Sequence, residues 1–267
     1  MNQHFSEPTL IPSPDSVRQL SRSSRQAVAQ LDTTLASIDF AGIAADYGKY
    51  NELFWRETLL PKDVLSKVKE EADLVRPRIV RKRVPGYKKS GSVNYYDLLE
   101  QAPSILALYK NPSLITMLSQ LAGAPLLPCP DDDPHAAAIY YYTEDGDGIG
   151  WHYDSSHYAG ERYTVLIGLV NRTSRAQLIC QPYRKINGPE LELRLSTNPG
   201  MFIFFNGNKI YHSVSPIGPD EERIVLTLEY VTNPHMTPVR RFISNMKDAM
   251  TYFGFSSLLK KRRRVAT

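Results

Sequence analysis

The chain has 267 residues, 42% hydrophobic and 22% charged, the balance of an ordinary globular protein long enough to bury a sizeable core. No run of about 18 apolar residues occurs, so no membrane span is expected, and the opening MNQHFSEPTLIPSPDS lacks the basic-then-apolar order of a secretory signal. The net charge is +4, but removing the five cations Lys260, Lys261, Arg262, Arg263 and Arg264 leaves −1, so the basic character lies in a tail and argues against a nucleic-acid groove.

Residues 1–38 are rich in Ser, Gln, Thr and Pro and read as a mobile arm or a loosely attached helix over Val17–Ile38. A single catalytic domain is expected over 39–255, with order starting near Tyr50. Its helical layer spans about 50–127. Pro61 opens an amphipathic helix in which Val64, Leu65, Val68 and Leu74 recur among charges, and Pro77 closes it. The basic segment Arg78–Lys89 reads as a strand and a loop around Gly86. Helices follow at Ser104–Lys110 and Pro112–Leu121, the second with Asn111 as N-cap and Gly123 as its stop.

After Pro128 the texture changes. AAAIYYY, RYTVLIGLV, RAQLIC, ELELRLS, GMFIFFNG, KIYHSV and RIVLTLEYV are short β-branched and aromatic runs separated by Gly, Asn, Asp and Pro. Runs of that length and spacing over about 128–235 predict an antiparallel sandwich or barrel, hence an α+β fold with helices layered on a β core. MKDAMTYFGFSSLLKKRRR reads as a closing helix, and 256–267 as a basic tail. That tail is similar to a nuclear-import signal, although such tails also serve solubility. Cys129 and Cys180 sit in no CxxC pattern and read as buried fillers, with the cytoplasm as the expected location.

Chemistry-bearing residues fall on the β half in a definite order. His152 and Asp154 follow the Gly-rich loop GDGIGW, His212 lies near the end of a later strand after GMFIFF, and Arg223 opens RIVLTLEYV. Residues two apart on a strand face one side, so His152 and Asp154 can point into one cavity. Two imidazoles and one carboxylate on one face of a metal leave three positions open, which suits iron(II) binding a co-substrate and oxygen together. HxD alone is a weak signal; the later His and an Arg 11 positions beyond it add the specificity.

This order resembles the HxD…H…R pattern of the Fe(II)/2-oxoglutarate-dependent dioxygenases, over roughly Ala136–Val231. The resemblance implies a double-stranded β-helix (jelly-roll, cupin-like) core. It assigns His152, Asp154 and His212 to Fe(II) and Arg223 to the distal carboxylate of 2-oxoglutarate. Tyr142, with Tyr140 and Thr164 on the same pocket wall, would border the co-substrate. O2 is the second co-substrate, and succinate and CO2 are the expected co-products. DGDGIGWHYDSSHYAGERYTVLIGLV and QPYRKING are similar to segments of bacterial oxygenases that hydroxylate or halogenate free amino acids and small natural products. Halogenating members replace the metal-binding Asp with a small residue, so Asp154 favours hydroxylation or another oxidation. The expected substrate is an amino acid or a natural-product intermediate.

Blander readings stand beside these. His152 and Asp154 can form a surface pair, and Arg223 can be a sheet-edge charge against Glu221 or Glu222. Tyr142 can be a half-buried barrel tyrosine. Asp131, Asp132 and Asp133 lack EF-hand spacing and read as a solvated turn, and His157 reads as a surface residue. Arg78, Arg81, Lys82 and Arg83 either meet a substrate carboxylate or form an exposed charged strand. Competing functions are a protein or peptide hydroxylase, a nucleic-acid demethylase and a non-catalytic β-barrel binding module.

Overall fold

The structure is a computed structural model describing residues 22–154, 157–240 and 243–244. The first 21 residues of the arm, the expected closing helix and the basic tail lie outside the described residues. Among the described residues, no helix is long and apolar enough to cross a membrane.

Helical order begins earlier than the expected start near Tyr50. α1 (Arg22–Ala36) and α2 (Phe40–Lys49) precede it, and Leu31 and Leu35, one turn apart, are buried with Ile43 and Tyr47 in the helical core. A few well-spaced apolar residues outweigh the polar composition that argued for a loose segment. α3 (Lys62–Val75) has Pro61 as its N-cap and buries Val64, Val68, Ala72 and Val75. Leu74, expected on that face, is exposed. α4 (Tyr95–Gln101), capped by the Asn94 side chain, was not foreseen, whereas α5 (Pro103–Tyr109) and α6 (Pro112–Ala122) match expectation. Asn111 accepts from the Leu114 N–H, and Gly123 ends α6 at φ 67°.

The strands are β1 (Leu53–Arg56), β2 (Val80–Val84), β3 (Lys88–Val93), β4 (Leu127–Pro128), β5 (Ala137–Tyr142) and β6 (Gly148–His152), followed by β7 (Arg162–Arg172), β8 (Leu178–Gln181), β9 (Leu193–Leu195), β10 (Phe202–Asn206), β11 (Tyr211–Val214) and β12 (Glu222–Val231). They form one curled antiparallel sheet in the order β1-β10-β7-β12-β5-β3-β6-β11-β8-β9, with β2 on β3 and β4 on β12. This is a jelly-roll, double-stranded β-helix in an α+β protein. Three departures from the sequence reading matter. LFWR is a strand that pairs with β10, and Arg78–Lys89 enters a true hairpin, β2–β3, whose second strand joins the sheet. The Gly-rich GIGWH is itself strand β6.

β5, β7, β10 and β12 form a wall that is apolar toward the helices and mixed toward the barrel interior. On β5, Ala137, Ile139 and Tyr141 pack on the helices, whereas Ala138, Tyr140 and Tyr142 face inward. On β12, Ile224, Leu226, Leu228 and Tyr230 face the helices, which by alternation turns Arg223, Val225, Thr227 and Glu229 inward. Each large apolar side chain buried here is worth about 1.5–3 kcal/mol, so the helical layer holds the wall rigid while the opposite face carries polar groups.

Candidate metal centre

β6 and β11 are antiparallel neighbours, and their register sets His152 opposite His212 with ring centroids 4.2 Å apart. Asp154 lies just beyond β6, where its N–H donates to the Gly207 carbonyl at 3.0 Å. One ligating atom from each of the three residues lies within 4.8 Å of the others. His152 Nε2 is 3.5 Å from Asp154 Oδ1, and His212 Nε2 is 3.8 Å from Oδ2. Two local devices place the loop. Asp147, fully buried, accepts both Arg81 Nη2 contacts (2.7 and 2.6 Å) and the N–H groups of Thr143 and Glu144, shaping the β5–β6 turn. At Gly207 a Cβ would fall 2.7 Å from the Asp154 Cβ, so only glycine allows this approach.

Both imidazoles have one orientation chemically available. His152 Nδ1 lies 2.8 Å from the Gly150 carbonyl and His212 Nδ1 lies 3.1 Å from that of Ile210. A carbonyl only accepts, so each Nδ1 carries the proton and each Nε2 presents a lone pair toward Asp154. Burial pushes the His212 pKa down to about 4, reinforced by His152, which keeps the ring neutral. Burial works to raise the Asp154 carboxyl, but its close coupling to the His212 and His152 rings and the Arg162 cation outweigh it and hold the group below the usual carboxylate range. Two imidazoles that present Nε2 lone pairs and one carboxylate form a donor set fit for a divalent first-row metal.

Arg223 is 0% exposed, with its guanidinium carbon 4.9 Å from the Tyr142 ring centre and its Nε donating to Thr197 Oγ1 at 2.7 Å. Neither terminal nitrogen has a hydrogen-bond partner among the described residues. An uncompensated buried cation costs several kcal/mol, so this pocket fits an anion that can accept two parallel N–H bonds. The sheet-edge reading of Arg223 is therefore overturned: Glu222 pairs instead with Arg76 and Arg172, and Glu221 accepts from Ser174 and Gly218. Tyr142, 1% exposed, is fully buried rather than half-buried.

Tyr140 faces the same interior, its hydroxyl 3.4 Å from His135 Nδ1. Thr164 stands between two carboxylates, 2.9 Å from Asp154 Oδ2 and 2.9 Å from Glu229 Oε2. Two placements differ from expectation: His212 is the second residue of its strand rather than near its end, and Asp154 lies beyond the strand that carries His152. Arg78 pairs with Asp97 and Glu100, and Arg81 with Asp147 and Glu144, so neither cation faces the centre. Asp131 accepts from Tyr95 and Lys110, and Asp133 from Tyr158. The structure brings His152, Asp154, His212 and Thr164 together.

Sequence reasoning missed Glu229, Arg162 and Lys88. Glu229 is six residues beyond Arg223 on β12 and Arg162 two before Thr164 on β7, so the two-residue period would have found both. Lys88 belongs to the basic segment but is only 3% exposed, opposite Ile149, with its Nζ 4.9 Å from the Tyr140 ring centre.

A family model described as Halogenase D matches residues 44–166, a span that includes His152, Asp154, Tyr142 and Thr164 and ends before His212 and Arg223. The fold is similar to that of the epimerase SnoN in complex with Fe3+, alpha-ketoglutarate and nogalamycin RO (TM-score 0.59, 16% identity, 72% of this chain and 83% of that one). It is also similar to a Pseudomonas putida prolyl-4-hydroxylase (TM-score 0.56, 15% identity, 73% and 98%). A 2OG-Fe(II) oxygenase-family oxidoreductase from Burkholderia pseudomallei matches likewise (TM-score 0.56, 17% identity, 76% and 95%). No curated protein matches. The chain has the fold of the non-haem iron, 2-oxoglutarate-dependent oxygenases.

Proposed function

We propose that this chain is an Fe(II)- and 2-oxoglutarate-dependent oxygenase that hydroxylates, or otherwise oxidises, a small carboxylate-bearing molecule such as an amino acid or a natural-product intermediate. The observation that carries the reading is the pairing of two features in one barrel interior. Two imidazoles with engaged Nδ1 atoms converge on Asp154, and a buried Arg223 offers two nitrogens to an anion.

His152, Asp154 and His212 would hold Fe(II) on one face, and Arg223 would take the distal carboxylate of 2-oxoglutarate through two charge-assisted bonds beside Tyr142. When bound, the metal and co-substrate supply the oxygen-activating chemistry, in which O2 is consumed and succinate and CO2 are released. The chain's own work is orientation and exclusion of water. Leu166, Ile203, Phe205 and Val225 line the interior with buried apolar surface. The substrate class is supported by Lys88, a cation of β3 turned toward that interior. Hydroxylation is favoured over halogenation because Asp154 fills the position that a halide would need. The fold is shared by SnoN, an epimerase from nogalamycin biosynthesis, and by a prolyl hydroxylase from Trichoplax adhaerens in complex with a peptide fragment, so both small molecules and peptides stand as substrate classes to test.

The test is an anaerobic visible-absorption titration of apoprotein with Fe(II) and 2-oxoglutarate, run beside His212→Ala. A charge-transfer band that requires both additions and is lost in the variant supports metal and co-substrate together. Folded protein without such a band would overturn the reading and leave a non-catalytic barrel module. Succinate release across a panel of amino acids, and then of peptides, would distinguish the substrate classes.

A further inference from the structure

A chain of polar side chains runs along the inner face of β7 and β12 into the metal loop. Arg162 Nε donates to Glu229 Oε2 at 2.9 Å, and the Thr164 hydroxyl lies 2.9 Å from that same oxygen and 2.9 Å from Asp154 Oδ2. The sheet itself makes the grouping, because Glu229 is the register partner of Thr164, and Arg162 lies two residues before Thr164 on one face of β7.

A threonine hydroxyl has one proton and serves one acceptor at a time. Asp154 Oδ2 and Glu229 Oε2 both lie within its reach at 2.9 Å, so the state of Glu229 sets where the proton goes. Burial pushes the Glu229 carboxyl up to about 7 against the pull of Arg162. Its neutral form can therefore donate to Thr164 Oγ1 and give the chain one direction, from Glu229 through Thr164 to Asp154.

We propose that Arg162 and Glu229 are positioning residues that act through Thr164 on Asp154, tying Oδ2 to the hydroxyl and leaving Oδ1, 3.5 Å from His152 Nε2, as the one carboxylate oxygen offered to a metal. The inference rests on the metal reading above. A carboxylate held to one ligating oxygen keeps free a coordination position that a bidentate carboxylate would occupy. Three free positions are what a chelating 2-oxo acid and O2 together require. The strut is thus a device for coordination number as well as for orientation.

The experiment titrates apoprotein with Co(II), a redox-stable probe, and reads both Kd and the intensity of the visible d–d bands, which reports coordination number. Thr164→Val should weaken Co(II) binding about 10–100-fold, the usual effect of losing a partner that orients a ligand. Thr164→Ser should restore it. Glu229→Gln, whose amide accepts from Arg162 and donates to Thr164, should also retain it. Arg162→Met with Glu229→Leu removes both partners together, so neither is left buried without the other. That pair should weaken binding as Thr164→Val does, and adding Thr164→Val to it should bring no further loss. Wild-type affinity and d–d bands in the Arg162→Met/Glu229→Leu pair, or losses that multiply, would overturn the strut. Failure of wild type to bind Co(II), or equal binding by Asp154→Ala, would instead sink the metal reading.

Discussion

His152 and His212 face each other across β6 and β11, and each donates its Nδ1–H to the carbonyl two residues before it in its own chain segment. The same short loop closure on both strands holds the two Nε2 atoms toward Asp154. Because the donors are aimed by backbone, metal binding demands little rearrangement of either ring.

Arg223 is expected to couple stability to co-substrate affinity. Arg223→Met removes a buried cation that has no anionic partner among the described residues and is expected to raise apoprotein stability by about 1–3 kcal/mol. It should also weaken 2-oxoglutarate binding about 100-fold through loss of two charge-assisted bonds. Thermal unfolding and the charge-transfer titration measure the two effects separately. A destabilised variant with unchanged affinity would show that Arg223 is structural.

The pH dependence of the apoprotein follows from His212. Burial lowers its folded pKa from 6.5 to about 4, so the neutral form is favoured in the fold. The stability it contributes is present above pH 6.5 and is lost as pH falls toward 4, an effect of roughly 3 kcal/mol at most. Tm recorded from pH 7.5 to 4.5 should fall across this window, and His212→Gln should flatten the slope. An equal slope in the variant would assign the titration elsewhere.

Arg81 tests the correction to the basic segment. Asp147 is fully buried against it, so Arg81→Ala should cost about 3 kcal/mol of folding stability by stranding that carboxylate. Chemical denaturation measures the loss. At a temperature where the variant stays folded, its 2-oxoglutarate affinity should match wild type, whereas a selective loss of co-substrate affinity would return Arg81 to the site.

Gly207→Ala should disturb the centre without touching a ligand. Its methyl group would press on the Asp154 Cβ, so a stability loss of about 1–3 kcal/mol should accompany weaker Fe(II) binding. Equilibrium unfolding and Co(II) titration read the two, and unaltered metal affinity would mean that the loop shifts freely.

Much of the site was legible in residue order. HxD and a later His named the three groups that converge, and alternation on RYTVLIGLV and RIVLTLEYV separates the helix-facing from the inward residues. β1 was less legible, because Leu53–Arg56 is a short apolar run whose strand character comes from pairing with β10, 146 to 152 positions later, against Phe205, Phe204, Ile203 and Phe202. The role of Thr164 was also hidden, since its Glu229 partner is 65 residues away.

By itself, then, the sequence determined which chemical groups exist and which face of its own strand each occupies, because strand periodicity is a local property of the backbone. Only the tertiary structure decided that Arg81 is consumed by Asp147 while Arg223 keeps two terminal nitrogens without hydrogen-bond partners among the described residues, and that Asp154 Oδ2 is held by Thr164. Those outcomes depend on register between strands far apart in the chain and on burial, which sets the cost of each charge, and neither is encoded in any short stretch of residues.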